Sequence, residues 1–348
     1  MTAYTVYMEQ LPPLFATWSK QMEVQVPVPA GKDFYDFVPW DDEMEIAWDY
    51  DLAYNTLKRH FFPPKEPLLE FETATYEAKS VFTAPPKLLF GVHPYDLKAI
   101  NQLDQIMESG SIDQNYMKRR ENIVIFAMEP QRIADTSFWG TMDAADVAHG
   151  YDLFWTRIGP ASFVVEVGSP RGEELLLACG KLPKANLSER EAARREKLRM
   201  KTTAAQRGLK FPWQETPKIV AKSWDSQIWR HKARHCLSCG SCVMVCPTCY
   251  CFDVKEEVDV TLQKGVRYRE WDGCMLPSFA LVAGDHNFRP QAMDRYRHRY
   301  FRKGKYIFDK IGELGCVGCG RCVRACTAGI ANPMEVFNEL WEAQQHDS

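Results

Sequence analysis

The segment CLSCGSCVMVC (236–246) recurs eighty residues later as CVGCGRCVRAC (316–326), and both follow the frame C-x2-C-x2-C-x3-C. No other feature of this 348-residue chain restricts its folding as tightly. Three cysteines spaced by two residues wrap the backbone around a compact inorganic core, one thiolate to each iron corner of a cubane. The fourth, three residues on, opens a helix that leads away, so in two-cluster proteins it ligates the other cluster. The doubled frame therefore predicts two [4Fe-4S] clusters with exchanged ligands. Cluster one takes Cys236, Cys239, Cys242 and Cys326; cluster two takes Cys316, Cys319, Cys322 and Cys246. Gly240 and Gly320 fall inside the wraps, where backbone must approach sulfur closely. Pro247 follows Cys246 as in the bacterial ferredoxin run, whereas Cys326 is followed by Thr327. The proline shapes the backbone and ligates nothing.

Cysteine use divides the chain. Residues 1–178 contain none, and eleven of the twelve lie between Cys236 and Cys326. The N-terminal MTAYTVYMEQLPPLF lacks a basic segment, an apolar core and a cleavage site, so no secretory signal is expected. No apolar run reaches the roughly 18 residues of a membrane span. A cytoplasmic location follows as the expectation, and clustered thiols there read as metal ligands rather than disulfides. Structural zinc fits poorly, because it prefers two separated cysteine pairs in one tetrahedral site. Cys249, Cys251 and Cys274 remain as packing near the sulfurs or as part of a third iron–sulfur cluster, one ligand short of a four-thiolate set. Cys179, closing the run LLLACG, reads as a buried structural thiol; His231 and His235 flank the first frame and read as packing or hydrogen-bonding side chains rather than ligands.

The cysteine-free part reads as an α/β domain over 1–186. PKLLFGV, ENIVIFAM, YDLFWT and SFVVEV have the length and flanks of buried strands. Between the first two, Leu97, Ile100, Leu103 and Ile106 make an apolar helical stripe that starts near Pro94. The first eighty residues, rich in proline, aromatics and the acidic stretch DFYDFVPWDDEMEIAWDYD, read as solvated loops with a few aromatic anchors. Residues 187–221 read as a charged helical linker, capped by Ser188 with Glu191. Residues 222–348 then form a mostly helical, two-cluster ferredoxin-like domain.

Between the frames, Arg289, Arg295, Arg297, Arg299, Arg302, Lys303 and Lys305 alternate with tyrosine and phenylalanine. A solvated helix face, a docking face for an acidic partner and an offset for the clusters' negative charge are all open readings. Nucleic-acid binding is the weaker one, as the net charge of −3 carries no overall basic bias.

CLSCGSCVMVCPTCYCFDV, WDGCM, AGDHNFRP and CVGCGRCVRAC together resemble the iron–sulfur β subunit of cytoplasmic sulfhydrogenases, the NAD(P)-linked nickel–iron hydrogenases. The A subunit of anaerobic sulfite reductase is similar. PKLLFGVHPYDLKAI and RRENIVIFAM resemble the front domain of the same family. The resemblance implies a subunit that carries electrons between a flavin-containing NAD(P)H subunit and a separate catalytic subunit of hydrogenase or sulfite-reductase type. One position departs: relatives commonly carry a cysteine where Tyr95 stands, so a metal centre built on that thiol is not expected here. The residues themselves agree with a conductor. There is no G-x-G-x-x-G after a strand, no nickel-binding frame and no assembled catalytic triad. The competing classes are an enzyme with flavin or substrate in its front domain and a metal-stabilised binding module.

Overall fold

The computed structural model describes residues 2–346. Strand β1 (Ala3–Tyr7) leads to helix α1 (Leu11–Trp18), β2 (Glu23–Gly31) and β3 (Phe34–Pro39). Two further strands, β4 (Lys65–Glu72) and β5 (Glu77–Ser80), precede β6 (Lys87–Val92), helix α2 (Pro94–Glu108), helix α3 (Gln114–Asn122), β7 (Ile123–Met128), β8 (Leu153–Gly159) and β9 (Ser162–Val167). The main sheet has seven strands in the order β1-β9-β8-β7-β6-β2-β3. Its centre, β2, β6, β7 and β8, is parallel; β9, β1 and β3 add antiparallel edges. The four strands and the helix expected from periodicity are present, and Leu97, Ile100, Leu103 and Ile106 are all buried. Pro94 occupies the first helical turn, where its missing N–H has no intrahelical acceptor to lose.

The opening eighty residues correct the loop-rich expectation, since they supply β1, α1, β2 and β3 to the main sheet and its core. Pro27 and Pro29 disguise β2. Both lie beyond the Glu23–Gln25 stretch that pairs with β6, where the strand runs against the edge strand β3. The aromatics of this region are structural: Phe15, Trp18 and Tyr50 are fully buried. Trp18 packs edge-on to Phe126 at 5.1 Å and donates its indole N–H to the Leu175 carbonyl at 2.9 Å. Truncating such a ring costs about 3–5 kcal/mol.

Helix α4 (Leu187–Ala204) is capped by Asn186 with Glu189 in a capping box, rather than by Ser188 with Glu191. Its Ala193, Met200 and Ala204 are buried, and Lys197 reaches Glu166 on β9. The helix thus lies along the front sheet with its charged face outward.

A second sheet joins the two halves of the chain. β10 (Phe252–Val258) and β11 (Lys264–Trp271) extend it in the order β10-β11-β4-β5. Arg269 on β11 and Arg119 on α3 both pair with the buried Glu66 of β4, and Arg269 also reaches Asp113. The remaining elements are mainly helical: α5 (Gln227–Ala233), α6 (Ser241–Met244), α7 (Ala292–Phe301), α8 (Arg321–Arg324) and α9 (Pro333–His346), with a short hairpin at 281–287. Among the described residues, no helix is long and apolar enough to cross a membrane.

Candidate metal centres

Both cysteine frames fold alike. In each, a glycine in the left-handed region, Gly240 (φ 76°) or Gly320 (φ 85°), stands directly before a one-turn helix, α6 or α8. The third cysteine, Cys242 or Cys322, lies in that helix, and the fourth, Cys246 or Cys326, follows it. Two cavities result. One is lined by Cys236, Cys239, Cys242 and Cys326, and the other by Cys246, Cys316, Cys319 and Cys322.

The donors suit a polynuclear core. All twelve cysteines are free thiols. Among the described residues, no three His, Cys, Asp or Glu side chains converge tightly enough for a single metal ion. Thiolates on one zinc would each stand about 2.3 Å from it, whereas those around a cubane are held apart by its iron corners.

Burial works against ionising these thiols. It pushes Cys242 and Cys319 up to about 12, and Cys316 further, while Arg299 and Arg321 pull Cys242 and Cys319 back down. Ligation needs thiolates, so fixed positive charge must be close by. The basic stretch supplies it. Arg295, Arg299 and Lys303 are buried, and their spacing of four residues sets them on one face of α7 and the π-turn that continues it. Lys303 Nζ donates to Thr248 Oγ1 at 2.6 Å, and that hydroxyl stands 3.3 Å from Cys246 Sγ. Arg295 donates to Ser238 Oγ at 2.8 Å, inside the first frame. Of the outward members, Arg297 pairs with Asp294 and Lys305 with Asp309. The stretch therefore turns much of its charge inward, which corrects the solvated-face reading.

The remaining cysteines differ in setting. Cys249 and Cys274 are buried and Cys251 is half-buried. The Cys249 thiol lies in hydrogen-bond contact with Cys246, which holds it well above its ordinary range. Lys58, buried at 3% exposure, donates to the Cys249 carbonyl at 2.8 Å. Cys179 is exposed, contrary to expectation, because the helix before it ends at Leu176; its sulfur contacts Thr17 Oγ1 at 3.2 Å. His231 and His235 are exposed and line neither cavity.

Tyr95 is 1% exposed. Its hydroxyl meets His93 Nδ1 at 2.7 Å and donates to the Asp51 carbonyl at 2.9 Å. Its ring packs in one apolar cluster with Trp139, Val317 and Cys319. Tyr95 thus shares an apolar cluster with Val317 and Cys319, two residues that line the second cavity.

Two four-thiol cavities joined by one buried cation, Arg299, define the class: an iron–sulfur protein of the electron-transfer type. The comparisons agree. Residues 235–330 match the family model of the 4Fe-4S dicluster domain. Over 307 residues the chain is 33% identical to sulfhydrogenase 2 subunit beta of Pyrococcus furiosus, covering 86% of each chain. The chain belongs to the sulfhydrogenase β-subunit family, and its cofactors are two [4Fe-4S] clusters.

Proposed function

We propose that the chain relays electrons within a soluble multi-subunit oxidoreductase, between a flavin-containing NAD(P)H subunit and a catalytic subunit of nickel–iron hydrogenase type. It performs no substrate reaction alone. Cys236, Cys239, Cys242 and Cys326 hold cluster one; Cys316, Cys319, Cys322 and Cys246 hold cluster two. Residues 222–348 carry both, 187–221 connect, and 1–186 form the front domain. The single observation behind this reading is that each cavity draws three thiols from one frame and its fourth from the other.

The clusters supply one-electron transfer. The protein packs thiols of both frames against one apolar core and balances their charge. Cys239 is exposed at the mouth of the first cavity, whereas Cys319 and Cys322 are buried in the second. Exit or entry at cluster one and shielding of cluster two follow from that difference. A second reading keeps the relay and changes its end: the catalytic partner is then an anaerobic sulfite reductase or another flavin-linked reductase.

Anaerobic purification tests the cluster content. About eight iron and eight sulfide per chain are expected on the four-iron stoichiometry of each frame, and about four would contradict it. Co-purification from the native source, with nickel measured in the complex, separates the two catalytic partners.

A further inference from the structure

Arg299 is the one residue that lines both cysteine cavities. It is 1% exposed, and its Nε and Nη1 donors are buried without a hydrogen-bond partner. Among the described residues no carboxylate pairs with it; its guanidinium lies 5.0 Å from the Tyr300 ring. Neighbouring arginines are engaged differently. Arg321 forks onto Asp96 and gives Nε to the Ala53 carbonyl. Arg295 gives both terminal nitrogens to Arg289, Pro290 and Ser238, so only its Nε lacks a partner, whereas Arg299 lacks one at a terminal nitrogen as well. A buried cation with unmade N–H bonds is costly unless an anionic acceptor lies against it.

We propose that Arg299 is a positioning residue shared by both clusters, donating N–H bonds toward sulfur on either side and setting the two reduction potentials together. This rests on the ligand sets proposed above. Reduction adds negative charge to a cluster, and a fixed cation with N–H···S bonds favours that state, which raises the potential. A cation between the sites also lessens the repulsion that one reduced cluster exerts on the other. Lys303 provides the contrast. It lines only the second cavity, and its ammonium already donates to Thr248. Removing Arg299 must move both potentials, and removing Lys303 one.

The test is an anaerobic redox titration of the full holo-chain, followed by EPR, with iron and sulfide counted in every sample. Arg299→Met is expected to lower the reduction equilibrium of each cluster at least tenfold, which is about 59 mV for a one-electron couple. Lys303→Met should shift cluster two alone. Arg299→Lys keeps the charge but loses the planar fork, so both shifts should be smaller and of the same sign; it carries the test if Arg299→Met assembles poorly. Reduction equilibria within threefold of wild type at full iron content, or a shift confined to one cluster in the Arg299 variants, would overturn the role of Arg299 while leaving the ligand sets intact. Loss of one cluster's worth of iron from the wild-type chain would instead overturn the ligand sets and the proposal with them.

Discussion

Arg321, between two cysteines of the second frame, forks onto both carboxylate oxygens of Asp96 at 2.5 and 2.7 Å, and both side chains are 1% exposed. Asp96 lies in the first turn of α2, so the pair ties the second cavity to the front sheet. The loop around cluster two is therefore fixed by a residue more than two hundred positions away. Arg324 repeats the tie at the rim, reaching Asp51 at 2.5 Å.

Asp96→Ala should leave a buried guanidinium uncompensated. The expected cost is about 3–5 kcal/mol, read as a lowered urea midpoint under anaerobic conditions. Asp96→Ala combined with Arg321→Met should lose less than Asp96→Ala alone, because no orphaned charge remains. An additive loss would show that the pair's charge is not the cause.

Cys246→Ala should remove the cluster held by Cys316, Cys319 and Cys322, with the cluster nearer in sequence retained. Iron should fall to about four per chain, on the four-iron stoichiometry, and EPR should keep the signal of cluster one. Loss of that signal with survival of the other would reject exchanged ligation.

The two wrap glycines should differ in tolerance. A Cβ on Gly320 would meet the Thr136 carbonyl carbon at 2.6 Å, backbone that cannot easily move. On Gly240 it would meet Leu276 Cδ2 at 2.8 Å, a side chain that can turn away. Both substitutions carry the left-handed backbone cost of roughly 1–2 kcal/mol. Gly320→Ala should add displacement of the 136 loop and loss of iron from cluster two, while Gly240→Ala should keep near-full iron. Equal iron loss in both would contradict the contrast.

Glu129, just past β7, is 3% exposed, and burial holds its carboxyl up to about 8, with Asp146, Glu196 and Glu166 adding to the rise against Lys197. The folded state therefore holds a proton that the unfolded chain releases near its ordinary 4.5. Between those values the native form binds more protons, so stability falls as pH rises, by at most about 1.4 kcal/mol per pH unit. Glu129→Gln should flatten the decline between pH 5 and 8 in chemical denaturation. An unchanged slope would show that another group is responsible.

What the sequence disclosed depended on how local the physics is. Thiol ligation of a compact core demands a fixed spacing, so the frame C-x2-C-x2-C-x3-C announced both cavities. The unit from Lys87 to Met128 was legible because α2 keeps one apolar stripe and both flanking strands are buried. β2 was hidden by Pro27 and Pro29, and β1 by a partner, β9, some 160 residues distant. The second sheet escaped notice because β10 is exposed along its whole length and shows no burial pattern. The inward turn of Arg295, Arg299 and Lys303 had a visible signal in their four-residue spacing, masked by the other basic residues among them.

The central claim, a conductor without its own substrate site, is tested most directly by adding NAD(P)H to the isolated, cluster-loaded chain without oxygen and following the visible bleaching of the clusters. A low-potential dye should bleach them fully and reversibly, within the roughly −700 to +450 mV open to such centres. NAD(P)H alone should leave the spectrum unchanged until the flavin subunit is added. Bleaching by NAD(P)H in the absence of any partner would contradict the account and assign a dinucleotide or flavin site to the front domain.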